Sequence, residues 1–185
     1  MMNQQKSWGW LYLVCFILTI PLSNWMVTNI GTHCYPDGPC VIPVWPGIES
    51  PSAVLIAGLA LVLRDRVQDF LGVKATLVAI FAGTIISATL SDPAVVLGST
   101  CAFLFSELAD LFVYTPLRKQ NQSLAIILSG LVGAIVDSMI FLQLAFGSLA
   151  FLEGQVIGKF WMSLLVGILF FVMNKTKKNP VVTPC

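Results

Sequence analysis

Glu107, Asp110 and Asp137 stand inside long apolar runs, where an acidic side chain at a membrane-helix centre costs about 2.5 to 3.5 kcal/mol on insertion scales. Three such costs require partners or a polar cavity. Glu107 and Asp110 are three residues apart and share a helix face, and Arg64 adjoins Asp65. At about 1.5 Å per residue, Glu107 lies roughly 21 Å below the outer end of its helix, Asp137 about 20 Å, and Arg64 about 20 Å along the second helix. The common depth predicts a polar layer from the second, fourth and fifth helices. Two readings of it stand side by side. In one the charges pair, Arg64 with Glu107 for instance, and fix helix packing; in the other they face a cavity on a substrate path. Lys159, about one turn into the last helix, either snorkels outward or sits with Gln155 at the cavity mouth as a ligand contact or counter-ion. Asn24 is polar and deep in the first span. Gly130, Gly133 and Ala134 precede Asp137 on roughly one face, a spacing that suits helix packing before ligand contact.

The elements that must hold this layer follow from composition. Of 185 residues, 57% are apolar and 10% charged, with mean hydropathy +0.87; a soluble domain carries about 25% charged residues. Too few charges remain to solvate a soluble globule. The expected fold class is an all-α polytopic membrane protein, a single domain over 1–185, with six transmembrane helices over about 8–27, 51–70, 73–90, 93–114, 124–150 and 155–173. Ser50 suits an N-cap and Pro51 the first helical position, and Pro93 opens the fourth helix after Asp92. The Gly- and Pro-rich stretch 28–50 reads as a loop, partly folded over the bundle.

Basic residues set the orientation. Lys6, Arg64, Arg66, Lys74, Arg118, Lys119, Lys175, Lys177 and Lys178 fall at alternate span ends, and Asp37, Glu49, Asp92 and Glu153 between them. Both termini are therefore expected in the cytoplasm and 28–50 outside, with Lys159 dissenting. The segment before the first span is too short for a cleaved signal peptide. The net charge of +1 and the dispersed Lys and Arg argue against nucleic acid.

Other motifs carry less. Cys34 and Cys40 lie in the external stretch, where a bridge is as open as two thiols; Cys15 and Cys101 fall in spans, and Cys185 on the cytoplasmic side. His33 beside Cys34 matches no zinc spacing. No Gly-x-Ser-x-Gly, His-Glu-x-x-His or phosphate-binding loop occurs. Asp110 and Asp137 as a proteolytic pair lack the Gly-x-Gly-Asp context, so no enzyme and no cofactor is expected. Trp8, Trp10 and Trp25 suit interfacial anchors; Phe103, Phe160 and Trp161 either pack or stack on a flat ligand.

Ser106-Glu-Leu-Ala-Asp-Leu-Phe-Val-Tyr-Thr-Pro-Leu-Arg118 resembles the queuosine precursor transporters, also called the vitamin uptake transporter family. Gly58-Leu-Ala-Leu-Val-Leu-Arg-Asp-Arg-Val-Gln68, Gly133-Ala-Ile-Val-Asp-Ser138 and Gly154-Gln-Val-Ile-Gly-Lys159 extend the likeness over about 51–167. The resemblance implies an inner-membrane importer of a 7-deazapurine such as 7-cyano-7-deazaguanine; the alternative is a binding subunit or carrier for another vitamin- or purine-type solute. A guanine-like edge suits a carboxylate, its O6 a Lys, Arg or Gln donor, and its face an aromatic ring. Glu107 is then expected on the N–H edge with Asp137 second, and Gln155 and Lys159 on the acceptor side. Arg64 and Asp65 would form an inner gate or a structural pair, and Asp110 would be structural or carry a proton in coupled import. The family's fold is similar to the substrate-binding subunits of energy-coupling-factor importers, which dock an ATPase partner through small residues on the first helix. The 8–24 segment here has few, which favours a solitary carrier. Monomer or homodimer stays open, as does the energy source.

Overall fold

The computed structural model describes residues 2–36, 38–90 and 95–178, with the side chains of 2–6 and 173–178 excepted. Expectations about Asp37, Asp92, Pro93 as a helix opener and Cys185, and about the side chains of Lys6, Lys175, Lys177 and Lys178, fall outside the described residues. Among the described residues, five helices are long and apolar enough to cross a membrane: α1 (Met2–Asn29), α2 (Val54–Leu90), α3 (Val96–Leu117), α4 (Gln122–Phe146) and α5 (Leu152–Lys178).

The expected second and third helices follow one another without a loop, as the two arms of α2. α2 is 37 residues long and leaves helical geometry at Gly72, with φ 83° and ψ 169°, a backbone region that essentially only glycine enters. Its two arms double back beside α1. Gly9 meets Phe70 and Leu71, Ile20 meets Gly83, and Asn24 donates to Ser87 at 3.4 Å, while Ser52, just before α2, donates to the Met26 carbonyl. Residues 52 and 87 therefore lie at the same level of α1, and the reversal lies at the other. Phe16, Ala60, Val67 and Ala79 form the core cluster between them.

Within the otherwise helical membrane domain, the 28–50 stretch is folded over the bundle as a small sheet joined by turns. β1 (His33–Cys34), β2 (Cys40–Trp45) and β3 (Ile48–Pro51) make an antiparallel sheet in the order β1-β2-β3, with Cys34 opposite Cys40 and bridged to it. Pro43 is tolerated inside β2 because β1 pairs only with the start of that strand and a register shift falls between Pro43 and Trp45. Gly47, at φ 77°, turns β2 into β3. Ser50 and Pro51 belong to β3 instead of capping a helix, and α2 begins at Val54. The sheet packs on the start of α5, where a side chain at Gly154 would collide with the Glu49 carbonyl.

The remaining joints follow local chemistry. Asn121 caps α4 by accepting the Leu124 N–H at 3.2 Å, and Gly147 closes it in the left-handed region at φ 61°. Small residues let helices approach: Gly58 lies against the Lys159 backbone, Gly98 against Ala145 and Gly130 against Ser163. Leu18, Val78 and Phe112 are among the apolar side chains left on the outside of the bundle, the pattern of a protein solvated by lipid.

Candidate functional site

A cavity enclosing about 690 Å³, counted to its opening, lies between α1, both arms of α2, α3, α4 and α5 on the sheet side of the polar layer. Five of the expected site residues line it: Asn24, Glu107, Asp137, Gln155 and Lys159. Arg64, Asp65 and Asp110 do not; they form a fully buried cluster behind Glu107.

The two groups are built differently. Gln155 and Lys159, four apart on α5, face Asp137 and Ser138 of α4. The Lys159 ammonium donates to Asp137 Oδ2, Gln155 Oε1 and, at 3.0 Å, Ser138 Oγ. Three donors thus meet three acceptors, and the residue does not snorkel: its side chain is 3% exposed, whereas that of Asp137 is 20% exposed. Because Gln155 spends its oxygen on Lys159, its amide nitrogen remains as a donor. Ser106 Oγ donates to the other oxygen of Asp137 at 3.4 Å.

Behind this wall Arg64 gathers three carboxylates. Its guanidinium contacts Asp65 at 2.9 Å, Glu107 at 3.1 Å and Asp110 at 2.8 Å. The pairing of Arg64 with Glu107 is therefore real and coexists with a cavity, because the contact engages Oε2 of Glu107 while the residue also lines the cavity. Gly133 lies against Leu61 and Asp110, so the small-residue face of α4 serves packing there.

A second ionic layer follows toward the Gly72 end. Asp69 receives Arg66 at 2.8 Å, Arg118 at 3.1 Å, Tyr114 Oη at 2.9 Å and Gln122 Nε2 at 2.8 Å. Gln68 links the layers, accepting from Arg64 at 3.4 Å and donating to Thr115 at 3.0 Å. The cavity is thereby closed on that side by side chains paired across α2, α3 and α4.

Phe103 and Phe141 add aromatic walls. The sequence reading misses Phe141, although it stands four residues after Asp137 and so shares its helix face. Thr19, Ser23, Ser87, Ser99 and Ser106 also line the cavity; small hydroxyl residues are common in membrane helices and carry little signal alone. Trp161 stacks on Trp45 of the sheet at 5.9 Å and does not line the cavity.

An apolar bundle around one polar cavity, with charges held inside the helices, defines a multi-pass membrane protein of the solute-handling class. The family model described as "Putative vitamin uptake transporter" matches residues 89–183, just over half of the chain. The chain belongs to that family, and its role is that of a membrane transporter. The match spans α3, α4 and α5 and so includes Glu107, Asp110, Asp137, Gln155 and Lys159. No curated protein and no solved structure matches the chain significantly.

Proposed function

We propose that this single-domain protein imports a queuosine precursor, 7-cyano-7-deazaguanine or a related 7-deazapurine, across the inner membrane. The chain would cross six times, each arm of α2 once, with both termini cytoplasmic and the disulfide-bearing sheet outside. The observation that carries the reading is the lining of the cavity. The Glu107 carboxylate offers an acceptor to adjacent N–H groups, the Gln155 amide a donor to a carbonyl oxygen, and Phe103 and Phe141 flat apolar surfaces. Lys159 acts as organiser: it fixes Gln155 and Asp137 and spends its donors on them. The ionic layers at Arg64 and Asp69 form the inner gate in this scheme.

The test is uptake of labelled 7-cyano-7-deazaguanine by cells that cannot make it and express this chain alone, with tRNA queuosine as readout. Restored queuosine supports a self-sufficient importer. Its absence, with the protein present in the membrane, refutes this substrate assignment.

A further inference from the structure

The ion pairs behind the cavity do not balance. Through the two layers and the cavity wall, five carboxylates (Asp65, Asp69, Glu107, Asp110 and Asp137) face four cations (Arg64, Arg66, Arg118 and Lys159). Lys159 is matched by Asp137, and Asp69 has both Arg66 and Arg118. The surplus falls on Arg64, whose one guanidinium is shared by three carboxylates, each at most 2% exposed. Arginine cannot release its charge to compensate, and an uncompensated buried carboxylate is strongly unfavourable. A second observation lies at the same place. Ser129 Oγ of α4 is buried against the Asp110 carboxylate of α3, and a hydroxyl there can donate to an ionised acid or accept from a protonated one.

We propose that the Arg64–Asp65–Glu107–Asp110 cluster is the proton-binding site that couples solute import to the proton gradient. This rests on the transporter reading above and adds the coupling ion. The proton comes from water, adds to a carboxylate oxygen of Asp110 or Asp65 and leaves to water on the other side; no other bond changes. On Asp110 it turns one carboxylate oxygen into a donor that the Ser129 hydroxyl can accept. The solute cannot supply the missing charge, because neither Asp65 nor Asp110 lines the cavity. Glu107 is the link, holding Arg64 through Oε2 and lining the cavity. A solute that takes Glu107 alters the share of Arg64 left for Asp65 and Asp110. The charged groups around Asp110 and Asp65 are Arg64, Arg66 and Asp69 of α2 and Glu107 of α3, with Asp137 and Lys159 beyond Glu107 across the cavity; the described side chains of α1 contribute no charge.

Two measurements test this. Infrared spectra of the purified full chain at neutral pH should contain the carbonyl stretch of a buried carboxylic acid, and Asp110→Asn or Asp65→Asn should lose it. This readout needs no solute; a wild-type protein without the band overturns the proposal. In proteoliposomes with the membrane potential clamped to zero, a gradient of one pH unit, alkaline inside, should drive up to about tenfold accumulation of 7-cyano-7-deazaguanine carried with one proton. Asp110→Asn should abolish that accumulation. Wild-type counterflow without response to the pH gradient, or accumulation driven by sodium instead, overturns the proton site and leaves the importer reading standing. Absence of counterflow refutes the solute and leaves the infrared result to decide the site.

Discussion

The Asp137–Lys159 pair is asymmetric in burial, and that asymmetry sets the outcome of removing either partner. Asp137→Ala leaves the Lys159 ammonium almost wholly buried, with only the neutral acceptors Ser138 and Gln155. Removing the counter-charge of a buried ion costs about 3–5 kcal/mol. Lys159→Met leaves Asp137 with a fifth of its side chain exposed toward the cavity and with the Ser106 hydroxyl still donating, so its loss belongs in the range of about 1–3 kcal/mol. The double variant strands neither charge. It should therefore be more stable than the sum of the single losses by about 2 kcal/mol, within the usual span of coupling between contacting residues. The assay is the unfolding midpoint of the purified protein in mixed micelles, followed by tryptophan fluorescence, for the wild type, both single variants and the double. Equal losses from the two single variants, or strict additivity in the double, would refute the reasoning, since either result means that water reaches Lys159 as readily as Asp137.

Two other perturbations probe separate parts of the molecule. Glu107→Gln removes the negative charge from the cavity acceptor; a hydrogen bond to a charged group is worth about 1.5–3 kcal/mol, so half-saturation for 7-cyano-7-deazaguanine uptake should rise roughly ten- to a hundredfold at unchanged expression. A change within threefold would remove Glu107 from the solute site. Gly72→Ala adds a methyl group that meets nothing within 4 Å, so its penalty is backbone strain alone, about 1–3 kcal/mol, read as a lower unfolding midpoint.

How much could be seen in the sequence depended on contrast. Arg64, Glu107, Asp110, Asp137 and Lys159 stand out because a charge in an apolar run has few explanations, and the common depth of Arg64, Glu107 and Asp137 brings those three to one layer. Asn24 and Gln155 join the same cavity for the same reason. What the helical period does not give is which charges face the cavity and which lie behind it, because Glu107 and Asp110 share a face of α3 and are separated only by the neighbouring arm of α2. The sheet was hidden by its prolines: a Pro inside a strand argues against that strand unless its unpaired side and register shift are known, and both depend on β1 and β3. The two arms of α2 read as separate helices because Gly72 interrupts them, while the absence of any linking loop is a property of one residue's backbone. Phe141 was readable only through its spacing, one turn after Asp137 on the same face.

The pairing inside the first arm of α2 bears on how the chain enters a membrane. Arg64 and Asp65 contact each other, as do Arg66 and Asp69, so these four charges have counterparts on their own helix before α3 has been synthesised. Because Gly72 joins the arm directly to an apolar second arm, the two can leave the insertion machinery as one hairpin. Later helices then have a selective task. α3 brings Glu107, Asp110 and Arg118 to partners already in place, and the order of synthesis becomes the order in which the interior is neutralised.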